Sequence, residues 1–118
     1  FLAVPALQRN SRNTSIKNDA SSVAGGISEY VSNNNGTMPT TITQTGEAVA
    51  ISGTGTNTSE AKVSGSVTVT TGTAAPTDAD NIVVIFGEKC NSDASTRSAA
   101  VWYSVELSSG IGTACVDS

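Results

Sequence analysis

Histidine is absent from the 118 residues, and cysteine (two), methionine (one), tryptophan (one) and proline (three) are scarce. Without histidine a serine nucleophile has no ordinary general base. The serines also sit in polar turns, not at a strand-to-helix elbow, so no enzymatic activity is expected. Two thiolates with no imidazole do not make a zinc site, and no cofactor is implied. Only 14% of residues are charged, with a net charge of −4 and a sequence pI near 4.5. That balance argues against a general nucleic-acid binder held by phosphate contacts. Aromatics are 4%, while Ser, Thr, Gly, Asn and Ala dominate the second half, a composition that suits an extracellular β-rich surface. The length fits one globular domain, with residues 1–35 as an N-terminal helix and 36–118 as connecting loop, sheet and C-terminal loop.

The chain opens on FLAVPAL, Phe1 to Leu7, a stretch with no charge that calls for burial all round. Seven residues fall short of the roughly 20 that a bilayer needs. With no Met and no capping residue before it, the run is expected to be the end of a longer hydrophobic helix. At Gln8 the composition turns polar, and Ile16, Ala20, Val23, Ile27 and Tyr30 or Val31 then recur at steps of four and three, one stripe along a helix. Arg9, Arg12 and Lys17 are half of the six basic residues and follow the apolar run directly. They read equally as a solvated helix face or as charges for lipid head groups. Gly25 and Gly26 each weaken the helix by about 1 kcal/mol relative to Ala. Asn33-Asn34-Asn35-Gly36, with Pro39 beyond, is a helix stop.

Thr37 to Gly46 shows no sustained period and reads as a loop pinned by Met38 and Ile42. Glu47–Ser52 reads as a strand with Val49 and Ile51 on one face. After the turn Gly53–Glu60, Ala61–Thr71 alternates as one strand, with Val63, Val67 and Val69 inward and Lys62, Ser64, Ser66, Thr68 and Thr70 outward. Gly72–Asp80 is a loop, and Asn81–Phe86, apolar on both faces, is expected to be central. Ala99–Leu107 places Val101, Tyr103, Val105 and Leu107 on one face and Trp102 on the other, before a short tail through Cys115. Consecutive strands with short turns predict a four-stranded antiparallel sheet under the helix, an α+β domain. For Cys90 and Cys115 a disulfide closing a C-terminal loop is the leading reading, with buried free thiols as the alternative. Asp78 and Asp80 beside Asn81 offer oxygens at a spacing calcium uses, but no Glu closes the site, and a solvated turn is the preferred reading. Sequons at Asn13, Asn35 and Asn57 are given no role, because Asn, Ser and Thr are so common here.

Four features in this order resemble the type IV pilins: LAVPALQRN at Leu2 to Asn10, SEYVSNNNGTMPT at Ser28 to Thr40, an antiparallel sheet after a connecting loop, and a C-terminal cysteine pair bounding a loop. The first is the most specific, with Pro5 at the position where the pilin helix kinks. The resemblance is motif-level over roughly the first 40 residues and covers the rest in layout only. It implies a helical spine on the sheet and a structural subunit that polymerises with copies of itself into a surface filament for adhesion, motility or DNA uptake. Phe1, Leu2, Val4, Pro5, Leu7, Arg9 and Arg12 would carry assembly. The other implied partners are an inner-membrane pilus assembly machinery and a host-cell or surface receptor, and no specific nucleic-acid site is evident. Two departures stand out. The processed Phe with a Glu soon after it inside the membrane segment is absent, and Gly25-Gly26 replaces the usual Ala or longer residues, which implies a locally softened helix. A pseudopilin, which often has a calcium-bound loop in place of the disulfide, and a stand-alone extracellular adhesin module are the alternative readings.

Overall fold

Ala3–Asn33 form one helix, α1, of 31 residues, about 46 Å long. The computed structural model describes residues 3–118, with side chains from Leu7 onward. The expected stripe is the buried face: Ile16, Ala20, Val23, Ile27 and Tyr30 are each at most 4% exposed, and Val31 is half-buried. The helix ends as its asparagines and glycine dictate. Asn35 takes the left-handed conformation at φ 57°, and the Gly36 N–H donates to the Val31 carbonyl at 2.8 Å, which closes the last turn on itself.

Seven strands follow: β1 (Thr41–Thr45), β2 (Ala48–Ser52), β3 (Ser59–Lys62), β4 (Thr68–Thr71), β5 (Asn81–Glu88), β6 (Ala94–Leu107) and β7 (Gly110–Asp117). The α+β class holds, but the single four-stranded antiparallel sheet does not. There are two sheets, β1-β2-β3 and β4-β5-β6-β7, and in the second β4 runs parallel to β5 while the remaining pairs are antiparallel. The corrections have local causes. The expected strand Ala61–Thr71 breaks at Ser64-Gly65-Ser66, where the Val67 N–H donates to the Ser64 carbonyl at 3.1 Å and the chain crosses from one sheet to the other. Val63 and Val67 flank the break four residues apart, so the even spacing survives and both still point into the core. The expected loop Thr37–Gly46 contains β1, an edge strand whose half-buried residues are Ile42 and Gln44. The expected tail contains β7, so the C-terminal loop is instead a hairpin of β6 and β7.

The two sheets are fastened by a side chain acting as a strand. The Gln44 amide donates to the Val67 carbonyl at 2.7 Å, and its oxygen accepts from the Val69 N–H at 2.9 Å. Asn34 does the same at the helix end, donating to the Asn57 carbonyl at 2.7 Å and accepting from the Asn57 N–H at 3.0 Å. A carboxamide has the donor and acceptor of a peptide group, so each supplies the pairing that a missing strand would have made.

The glycine pair divides into two roles. Gly25 is exposed with open space where a Cβ would stand, whereas a Cβ on Gly26 would lie 2.6 Å from the fully buried Ile51 side chain. The Gly26 carbonyl also accepts from the Ser59 hydroxyl at 2.6 Å. Close approach of helix to sheet, not softening, is what Gly26 provides. Gly25→Ala is therefore expected to stabilise the fold by about 1 kcal/mol, and Gly26→Val to cost about 1–3 kcal/mol through overpacking. Urea unfolding of both variants checks this, and equal shifts in the same direction would contradict it.

Candidate functional site

The molecule has two poles because β6 runs antiparallel to α1. At its start, Arg97 lies against Gly36 just past the helix end, and at its end Glu106 meets Arg12 and Asn13 near the helix start. About 30 Å of helix separate Asn13 from Asn33.

At the lower pole α1 runs on past the sheets. The Arg12 guanidinium grips Glu106 with two hydrogen bonds, Nε to Oε2 at 2.5 Å and Nη2 to Oε1 at 2.8 Å. Beside it, the Asn13 amide donates to the Glu106 carbonyl at 2.9 Å and accepts from the Glu106 N–H at 2.7 Å. Strand β5 begins opposite Ser104, so β6 outruns it here. Asn13 takes the place of the strand that has ended, the third carboxamide used this way. Hydrogen bonding from Arg12, and then the positive charges of Arg12 and Arg9, hold the Glu106 carboxyl below its ordinary value, while Glu106 raises the Arg12 guanidinium.

A depressed carboxylate stabilises the fold above the ordinary glutamate value of about 4.3, and that contribution is lost as pH falls through the lower folded value. The pair is exposed, so added salt weakens it. In an NMR titration the Glu106 carboxyl is expected to protonate at lower pH in the parent than in Arg12→Gln. Coincident titrations would mean that the pair does not form in solution.

Of the residues that the sequence assigns to assembly, Phe1 and Leu2 lie outside the described residues. Val4 and Pro5 belong to α1, although their side chains are not described. Leu7 is 63% exposed, Arg9 is half-buried, and Arg12 is committed to Glu106 within the chain. Leu107, expected to face inward with Val101, Tyr103 and Val105, is 49% exposed and Ile111 41% exposed, because the β6–β7 turn reaches beyond the core. Leu7, Leu107 and Ile111 are the large exposed hydrophobics among the described residues, and all three occupy the lower pole. Only Leu7 was evident in the sequence, since an inward and an overhanging leucine share one alternation.

At the upper pole, Met38, Pro39 and Thr40 of the helix-to-β1 connection face Phe86, Gly87, Ala94, Ser95 and Thr96 across an open, mainly apolar groove of about 630 Å³. Nearby, Cys90 and Cys115 form a disulfide with Cα atoms 5.8 Å apart. It ties the tip of the β5–β6 hairpin to β7, and the Cys90 N–H donates to the Asp117 carboxylate at 2.7 Å.

Asp78 and Asp80 lie exposed in the turn before β5. Among the described residues no group of three or more His, Cys, Asp or Glu is placed to hold a metal ion. Two of the three sequons have structural work: Asn13 as above, and Asn57, whose amide donates to the Asn33 carbonyl at 3.0 Å. No helix among the described residues is long and apolar enough to cross a membrane. No protein-family model, curated protein or solved structure matches the chain.

Proposed function

We propose that this chain is a subunit of an extracellular filament of the type IV pilin kind, polymerising through its N-terminal helix. The observation that carries the reading is the division of α1. Its stretch from Ile16 to Tyr30 is the spine of the core, whereas the stretch before Arg12 extends beyond the sheets and leaves Leu7 63% exposed. A helix half used for folding leaves its apolar start for other molecules. Burying a large side chain such as Leu7 among neighbouring copies contributes roughly 1.5–3 kcal/mol. The disulfide at the C-terminal hairpin favours this reading over a pseudopilin. Adhesion, motility or DNA uptake would be functions of the assembled filament, with an inner-membrane assembly machinery and a surface receptor as the partners that reading brings.

Electron microscopy of cells expressing the complete gene in its own host tests it. Filaments are expected from the parent, and fewer from Arg9→Glu with the monomer still folded, because acidic groups of neighbouring copies are the partners proposed for this basic helix face. Arg12→Glu is the poorer probe, since it also breaks the contact with Glu106. Absence of filaments from the parent gene would remove the reading and leave the stand-alone adhesin module. Undiminished filaments from Arg9→Glu would remove only the charge argument.

A further inference from the structure

Asparagine followed by glycine occurs once in the chain, at Asn35-Gly36, and it falls just past the end of α1. Glycine sets no side chain beside its own nitrogen, so that nitrogen can approach the carboxamide of the residue before it closely. We propose that Asn35-Gly36 is a self-modifying site, at which the chain converts its own asparagine to isoaspartate or aspartate, and that the cap of the helix gates the reaction. Neither the site nor its gate depends on the filament reading.

The reaction needs no enzyme, and its one co-reactant is water. A solvent base removes the Gly36 amide proton, and the nitrogen attacks the Asn35 Cγ. An N–Cγ bond forms, the Cγ–Nδ2 bond breaks and ammonia leaves, which closes a five-membered succinimide. Water then opens the ring at one of its two carbonyls. Opening at Cγ gives aspartate, and opening at the main-chain carbonyl gives isoaspartate, whose main chain is one carbon longer.

The fold singles out this asparagine and sets its gate. The carboxamides of Asn13, Asn34, Asn57 and Asn91 are held by hydrogen bonds, and none of the four precedes glycine. Asn35 stands exposed. The proton that must leave is the one that closes the cap, because the Gly36 N–H donates to the Val31 carbonyl at 2.8 Å. A bound proton is withheld from base, so the reaction waits until the helix end opens. Asn34 sets how often that happens, since its buried carboxamide ties the helix end to Asn57. The product then works in the same direction. A carboxylate at position 35 stands at the negative end of the helix dipole, and the extra carbon of isoaspartate spoils the ring that the Gly36 N–H closes. Each modified copy opens more readily between α1 and β1, and the lost ammonia makes the mark permanent.

The purified chain, folded and in urea, is incubated at mildly alkaline pH. Position 35 is followed by peptide mass mapping, with isoaspartyl methyltransferase to label isoaspartate. In urea Asn35 is expected to be the first asparagine to lose ammonia. In the folded chain it should react at least about tenfold more slowly, and that factor should match the protection of the Gly36 N–H from hydrogen exchange within about threefold. Asn34→Ala, which unties the helix end, should raise the folded rate about tenfold and leave the rate in urea unchanged. If this variant does not fold, the agreement of the two Gly36 measurements in the parent decides alone. An intact Asn35 once another asparagine has reacted in urea would overturn the site. Equal rates in the folded and unfolded chain, a retardation unrelated to hydrogen exchange, or a folded Asn34→Ala chain reacting at the parent's rate would overturn the gate.

Discussion

Reduction of the Cys90–Cys115 bridge is expected to lower the stability of the fold by roughly 3–4 kcal/mol, the chain-entropy value for a closed loop of about 25 residues. The bridge spans a sequence separation of 25, and the enclosed segment is almost the whole β6–β7 hairpin. Opening it frees an unfolded chain that the bridge had constrained, and also releases the end of β7, an edge strand paired on one side only, with β6. Denaturant unfolding with and without reductant measures the change, and thiol labelling of unfolded, unreduced protein should find no free thiol. An unchanged midpoint on complete reduction would mean that the hairpin holds its register through β6 alone.

The second large effect is expected at Asn34, which the sequence marks only as part of a helix stop. It is 8% exposed, and its amide donates to the Tyr30 carbonyl at 2.8 Å and the Asn57 carbonyl at 2.7 Å, while its oxygen accepts from the Asn57 N–H. Asn34→Asp removes both donors and sets a carboxylate against two carbonyl oxygens. Leaving such buried groups unpaired costs about 1–3 kcal/mol each, so a total near 3 kcal/mol is expected. The carboxylate is tolerated best when protonated, so the deficit relative to the parent should shrink as pH falls through the acid range. Urea midpoints at neutral and acid pH give both quantities. A deficit constant with pH would show that loss of the donors, not the added charge, sets the cost.

How far the fold is legible in the sequence depends on which residues carry the signal. The helix stripe from Ile16 to Tyr30 announces itself because one apolar face repeats through four turns, and the Asn-rich stop fixes its end. Asn81–Phe86 reads as central because both its faces are apolar, and β5 is indeed flanked by β4 and β6. The break after Val63 is invisible because the step of four residues from Val63 to Val67 preserves alternation. β7 is hidden for another reason: Ile111, Thr113, Cys115 and Asp117 alternate with two glycines, Ala114 and Val116, so neither face is consistently apolar. β1 offers only Ile42 and the carboxamide of Gln44. At the candidate site the apolar start and the basic residues after it were legible. The reach of Leu107 and Ile111 beyond the core was not, nor were the backbone contacts of Asn13, since both depend on where β5 stops.

The bridge between Cys90 and Cys115 also sets how far the molecule can be drawn out. Tension carried between the two ends of the chain passes through the sulfur–sulfur bond and bypasses β6 and most of β7. At 3.3–3.6 Å per extended residue, the 25-residue segment it encloses amounts to roughly 80–90 Å of chain that a pull cannot release while the bond stands. A loaded fibre of the proposed kind would therefore lengthen only through the chain before Cys90, which holds the helix, the three-stranded sheet and strands β4 and β5, and the β6–β7 hairpin would be the last part to yield.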